Sequence, residues 1–213
     1  LDFTSSSDPE DHFYTQDERD AIQARMEADY SAFDVRFTQV SPTAGAFVTV
    51  QFNARIIERG KSIRVGGSST RTGWRELSAI DSVNVNVNQF LGTGTNQLPP
   101  TSENYVAISS TVAAHELGHT YGLRHHDAFG PPGSGIYAGI DNAGRYRPNF
   151  FGPQLADETR LHLSASPVSV GTALVDAFGN PFFSEREALK LSFAESGRVI
   201  VAAQQKSPGI VLP

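Results

Sequence analysis

His115-Glu116-Leu117-Gly118-His119-Thr120-Tyr121-Gly122-Leu123-Arg124-His125 sets three histidines, one carboxylate and a glycine at spacings that suit a single metal ion. On a helix, residues four apart lie one above the other, so His115 and His119 can both reach one ion, at about 2.0–2.1 Å from each nitrogen if the ion is zinc. Glu116 is one residue out of phase with them. It points beside the ion rather than at it, where a carboxylate can take a proton from a metal-bound water. Gly122 can adopt the left-handed conformation that ends a helix and reverses the chain. Without that reversal His125 would point away from the ion; with it, His125 returns from below as third ligand. Three protein ligands leave a fourth position open, which separates a catalytic site from a closed structural one.

The short His-Glu-x-x-His pattern alone occurs by chance as two surface histidines flanking a glutamate, but the added glycine and third histidine are far more specific. With every defined position of His-Glu-x-x-His-x-x-Gly-x-x-His filled, by His115, Glu116, His119, Gly122 and His125, the chain resembles the metzincin clan of zinc peptidases, in particular bacterial matrixin- and serralysin-like catalytic domains. The resemblance implies an α+β zincin fold: a twisted, mostly parallel sheet, a backing helix, an active-site helix, and an irregular C-terminal subdomain closed by a helix. It also implies a tight methionine-containing turn beneath the metal. Here the chain departs from the pattern, because its one methionine is Met26, upstream of the motif. The stretch Leu161-His162-Leu163-Ser164-Ala165-Ser166-Pro167 resembles that turn in other respects, with Ser164 in the methionine position and Ser166 where some members of the clan carry a transition-state tyrosine. The methionine packs under the site without ligating, so its replacement is expected to loosen the floor and leave the ligands intact.

Length and composition fit one catalytic domain, residues 1–213, with an upper subdomain at 1–122 and a lower one at 123–213. With 39% hydrophobic and 19% charged residues the chain is ordinary globular material, able to bury a sizeable core. A net charge of -6, from 17 basic and 23 acidic residues, argues against nucleic acid or an anionic membrane as partner. No apolar run is long enough to span a membrane. The expected partner is a protein or peptide substrate, met by a monomer. Zero cysteines exclude disulfides and a thiol latency switch, and leave the redox compartment undetermined. A start at Leu1, with no methionine or signal-like run, suggests removal of a leader or pro-segment and hence a secreted bacterial protein.

Along the chain, residues 1–5 alternate weakly as a first strand. Thr15 and Glu18 form a capping box opening a helix from 16 to about 32, with Ile22, Met26 and Phe33 on the side that would lie on a sheet. Alternation at Val35 and Phe37, and again at Val48, Val50 and Phe52, predicts two strands. Residues 60–73, rich in glycine, serine and arginine, read as a long loop. Val83, Val85 and Val87 give the cleanest period-two run, its opposite face formed by Asn84, Asn86 and Asn88. Asp81 and these asparagines raise a calcium site, but a straight strand spreads oxygens instead of wrapping them, so a solvated face is the stronger reading.

The Pro99-Pro100 break places the start of the active-site helix at Thr101 or Ser102, with Tyr105, Ile108 and Val112 buried. Residues 128–153 lack periodicity and read as the lower wall of a cleft, where Tyr137 and Tyr146 are read as packing anchors. His126 is read as a rim residue and His12 and His162 as structural or exposed. Asp127 either orients a ligand histidine or caps its turn. Residues 160–172 are expected to shape a substrate pocket. Ser184 and Glu187 cap a final helix through about Glu195, with Leu189 and Phe193 buried and Gly197 as its stop, and residues 199–213 form a loose tail.

Together these readings predict a zinc-dependent endopeptidase. His115, His119 and His125 hold Zn2+, and Glu116 activates a zinc-bound water for attack on the peptide carbonyl. The alternative is a catalytically impaired zinc-binding pseudo-peptidase or protein-binding module, to which the serine at 164 points. A zinc enzyme cleaving another bond is a third reading, disfavoured by the extended motif.

Overall fold

Thr15 and Glu18 close the expected reciprocal cap. The Glu18 amide donates to Thr15 Oγ1, and the Thr15 amide donates to the Glu18 carboxylate at 2.8 Å. From this cap helix α1 runs Gln16–Asp29 and stops at Tyr30, earlier than the sequence predicts. The computed structural model describes residues 1–3, 8–45, 47–58, 60–62, 65–69, 81–95, 97–128, 138–140, 146–148, 161–165 and 182–196.

Strands β1 (Val48–Phe52), β2 (Ile57–Glu58), β3 (Lys61–Ser62), β4 (Gly67–Ser69) and β5 (Asp81–Val85) precede helix α2 (Ser102–Thr120). β1 and β5 pair in parallel with Val50 opposite Val83, and β4 pairs antiparallel with β5 on its other side. The result is a small mixed sheet of order β1-β5-β4, where a mostly parallel one was expected. Only Asp2 remains of the predicted first strand within residues 1–3: a parallel bridge to Gln51, made by the Asp2 amide on Val50 O and the Phe52 amide on Asp2 O. β2 and β3 form a separate two-stranded hairpin. Residues 60–69 are therefore not a continuous loop, since β3 and β4 both lie there. Chain pairing was set by neighbours distant in sequence, which a glycine- and serine-rich composition does not disclose.

Val35 and Phe37 form no strand. The chain from 30 to 45 runs through turns and bends, with Val35 and Phe37 partly buried against the core, so their alternation reflects local packing and not pairing. Val87 also falls outside β5, at the entrance to a 3-10 turn over Asn88–Phe90, although it is as fully buried as Val83 and Val85. The asparagine face is not simply solvated. Asn88 Nδ2 donates to Asp11, Asn53 and Asn86 at 2.8, 3.0 and 3.2 Å, and its Oδ1 accepts from the His12 amide. These side-chain oxygens already accept N–H donors and tie the sheet to the segment ahead of α1. The calcium alternative gains no coordination shell from them.

α1 packs chiefly on α2 and only lightly on the sheet, contrary to a helix laid directly on strands. The reason lies in the small residues Ser109, Ser110, Ala113 and Ala114, all buried, which let the helices approach closely. Three polar links cross that contact. Tyr14 Oη pairs with Ser109 Oγ at 2.8 Å, Arg25 Nε donates to Ser110 Oγ at 2.9 Å, and Tyr30 Oη donates to Ala114 O at 2.9 Å. α2 also contacts β1 and β5, whose Val50, Phe52, Val83 and Val85 are buried in the same core.

After α2 come a 3-10 turn (His125–Ala128), the antiparallel pair β6 (Ala138–Ile140) and β7 (Tyr146–Pro148), and helix α3 (Glu185–Ser196). The stretch read as structureless thus contains a β-pair; Tyr146 lies in β7, while Tyr137 lies outside the described residues. Leu189 is exposed on α3, where Arg186, Glu187 and Leu191 are buried, so it was misplaced in the predicted face; the Phe193 side chain is not among those described. Ser166, Pro167, Gly197 and the tail at 199–213 also lie outside the described residues, as does most of the 160–172 pocket. Among the described residues no helix is long and apolar enough to cross a membrane.

Tyr30→Phe should test the helix contact. Losing the hydroxyl that meets Ala114 O should lower unfolding free energy by about 1 kcal/mol, read as a lower urea midpoint at unchanged slope.

Candidate metal centre

Two of the clustered imidazoles come from the last turns of α2 and the third from the 3-10 turn that follows it. His115 Nε2 lies 3.0 Å from His119 Nε2 and 3.2 Å from His125 Nε2, so all three rings present the same atom to one point. Among the described residues these are the histidine, cysteine and acidic side chains placed closely enough, in a group of three, to hold a metal ion.

The chain reversal that brings His125 back occurs at Gly122, with φ +87°. The Gly122 amide donates to His119 O and the Leu123 amide to Gly118 O, both at 3.0 Å, the double closure of a Schellman cap. Leu123 is buried beneath the helix end. Its carbonyl accepts from His119 Nδ1 at 2.8 Å. On the neighbouring imidazole, His115 Nδ1 donates to Leu163 O at 2.5 Å. Leu163 belongs to the segment expected to run below the metal; its carbonyl meets His115, and Leu163 and Ser164 are both buried.

These two bonds fix the tautomers. A neutral imidazole that donates from Nδ1 keeps an unprotonated lone pair on Nε2. Two such lone pairs 3.0 Å apart repel unless a cation lies between them, so the donor set suits a metal ion. Burial first, and then the neighbouring His119 and His125, hold His115 well below the ordinary histidine range. Burial likewise lowers His119. Both are therefore neutral and competent as ligands at physiological pH.

Glu116, the residue after His115 on α2, is nearly buried at 9% exposure. Burial pushes its carboxyl up to about 7; Ser69 Oγ, beside it without ordinary hydrogen-bond geometry, offsets part of that rise. Gly67 of β4 lies directly against it. A Cβ at Gly67 would fall 2.5 Å from Glu116 Cγ and 2.9 Å from Oε1, so only glycine lets the strand approach this closely. The sheet edge thus walls one side of the carboxylate. Neither Gly67 nor Ser69 was legible as a site residue, because nothing local marks residues 60–73 as a strand.

Asp127, left between two roles by the sequence, accepts from the Arg124 amide at 2.8 Å and so caps the turn that carries His125. It is also fully buried and paired with Lys190 Nζ at 2.5 Å and Arg186 Nε at 3.4 Å, which fasten the turn to α3. Lys190 reaches Gly122 O as well, at 3.0 Å. The His126 side chain is not among those described. His12 stacks on Tyr105 and pairs with Glu18, and His162 donates to Ala128 O; both act in packing, as expected.

Gly122→Ala should destabilise the fold by about 1 kcal/mol or more, since alanine strains at positive φ. It should also weaken zinc or cobalt binding measured by chelator competition, because the reversal positions His125 and the Leu123 carbonyl together. Unchanged metal affinity would show that His125 is held independently of this turn.

Comparison of the chain with models of protein families, with curated proteins and with solved structures gives no match.

Proposed function

We propose that this chain is a zinc-dependent endopeptidase of the metzincin kind, acting on protein or peptide substrates. The observation that carries the reading is the convergence of three Nε2 atoms, with Glu116 next to His115 on the same helix. Four-coordinate zinc with bonds of about 2.0–2.1 Å sets its ligands about 3.3 Å apart. The separations of 3.0 and 3.2 Å between these nitrogens are close to that. Histidines supply three ligands, so one position is open to water or substrate. When bound, zinc supplies a Lewis acid that polarises the scissile carbonyl and brings the pKa of water down to about 7.

Glu116 is the general base. It accepts a proton from the attacking water and passes it to the departing amine, so it ends the cycle as it began. A carboxyl whose environment raises it to about 7 is suited to both halves of that transfer. Among the described residues β4 is an edge strand of its sheet, and an extended substrate could add to it as a further strand, held by main-chain hydrogen bonds beside Glu116. The resemblance carries with it an extracellular, bacterial setting. Buried Ser164, under the site where the clan has methionine, favours the second reading, a metal-binding protein without turnover.

Zinc content and hydrolysis of denatured casein, with and without 1,10-phenanthroline, separate these readings: zinc bound without chelator-sensitive cleavage would leave only the second. Glu116→Gln should reduce cleavage by about 10²- to 10⁴-fold and leave zinc bound. In the parent protein, activity should rise with pH along a limb whose midpoint lies at or below about 7, since the base must be ionised and a nearby cation favours the ionised form.

Gly67→Ala should cost on the order of 10- to 100-fold in casein cleavage by displacing the Glu116 carboxylate. Zinc content should not change. A fully active variant would show that Glu116 does not depend on the sheet edge for its position.

A further inference from the structure

Two buried carboxylates stand one peptide group away from two of the imidazoles, in the same arrangement. The Leu163–Ser164 peptide accepts from His115 Nδ1 on its carbonyl and donates from its N–H to Glu187 Oε1 at 2.5 Å. The Leu123–Arg124 peptide accepts from His119 Nδ1 on its carbonyl and donates from its N–H to Asp127 Oδ2 at 2.8 Å. We propose that Glu187 and Asp127 are positioning residues for the metal ligands His115 and His119, each acting through a single peptide group. The inference rests on the metal-binding part of the reading above and not on peptidase activity.

An amide whose N–H donates to a carboxylate becomes polarised, and its carbonyl becomes a stronger acceptor. The stronger acceptor fixes the ring by its Nδ1–H and increases electron density at Nε2, the atom facing the shared centre. Metal-binding histidines commonly meet a carboxylate or a backbone carbonyl directly; here His115 and His119 each meet a carbonyl that a carboxylate polarises from behind. Glu187 is fully buried and also closes the cap of α3, accepting from the Ser184 amide at 2.6 Å on Oε2. A cap requires only that one oxygen. The other oxygen goes to Ser164, 23 residues distant in sequence. Asp127 is likewise buried, with Lys190 and Arg186 balancing its charge. That the geometry occurs twice, with different residues on separate segments, argues against a by-product of one helix cap.

The test compares Glu187→Gln, Asp127→Asn and Ser184→Ala in the zinc-loaded full chain. Ser184→Ala weakens the same helix cap and leaves the Glu187–Ser164 link in place. Readouts are zinc affinity by chelator competition and the imidazole Nδ1 proton resonances by NMR. Glu187→Gln should move the His115 resonance upfield and leave that of His119 in place. Asp127→Asn should do the reverse. Each should weaken zinc binding on the order of tenfold, while Ser184→Ala should lower the melting temperature without changing affinity.

Parallel shifts of both resonances in either variant, or affinities equal to that of Ser184→Ala, would show the carboxylates to be structural tethers and overturn the proposal. If Asp127→Asn does not fold, the selective response to Glu187→Gln decides alone; if neither folds, a role in folding replaces the one proposed. A parent protein that binds no zinc would instead refute the metal reading beneath it.

Discussion

The reversal of the chain at Gly122 is the constraint on which the rest of the site depends. A continuing helix would carry His125 round and away from His115 and His119. At φ +87° the chain folds back, and the next residue, Leu123, meets three demands together. Its amide closes the helix on Gly118 O, its side chain fills the space under the helix end, and its carbonyl fixes the His119 ring. One turn therefore ends the helix, orients the second imidazole and delivers the third.

Among the described residues, the segments that meet the end of α2 are fastened by buried charged groups as well as by the buried Leu123, Leu163 and Leu191. Asp127 draws the His125 turn onto α3 through Lys190 and Arg186, and Glu187 draws in the segment containing Leu163 and Ser164. Buried ions are costly unless fully paired, and these are met by amide donors or cations. Such bonds are directional, so they define ring orientation more sharply than methyl contacts do.

Above the helix, positioning is steric. Small residues on α2 let α1 approach, Tyr14, Arg25 and Tyr30 on and beside α1 bond to it, and α2 also packs on the sheet. β4 reaches the helix at Glu116 because Gly67 has no Cβ. The carboxylate is thus confined by a backbone, which holds its place better than a flexible side chain. The same contact excludes water and raises its pKa, joining geometry to proton affinity.

The sequence by itself determined the three imidazoles, the glutamate between them, the turning glycine, the caps of α1, α2 and α3, and the apolar face of β5. All of these depend on spacing within one or two helical turns or along one strand, where periodicity is local. Tertiary structure alone decided which carbonyls orient the imidazoles, because every residue carries a carbonyl and none is marked by type. It also decided that Val35 and Phe37 stay unpaired while Gly67–Ser69 joins the sheet. Strand pairing depends on distant partners, and a short glycine-serine segment has no pattern of its own to set against an alternating one. The second partner of Glu187 was hidden for the same reason: locally it looks like a cap, and only folding brings Ser164 within reach, while for Asp127 the sequence left capping and ligand orientation open and only folding supplies Lys190 and Arg186.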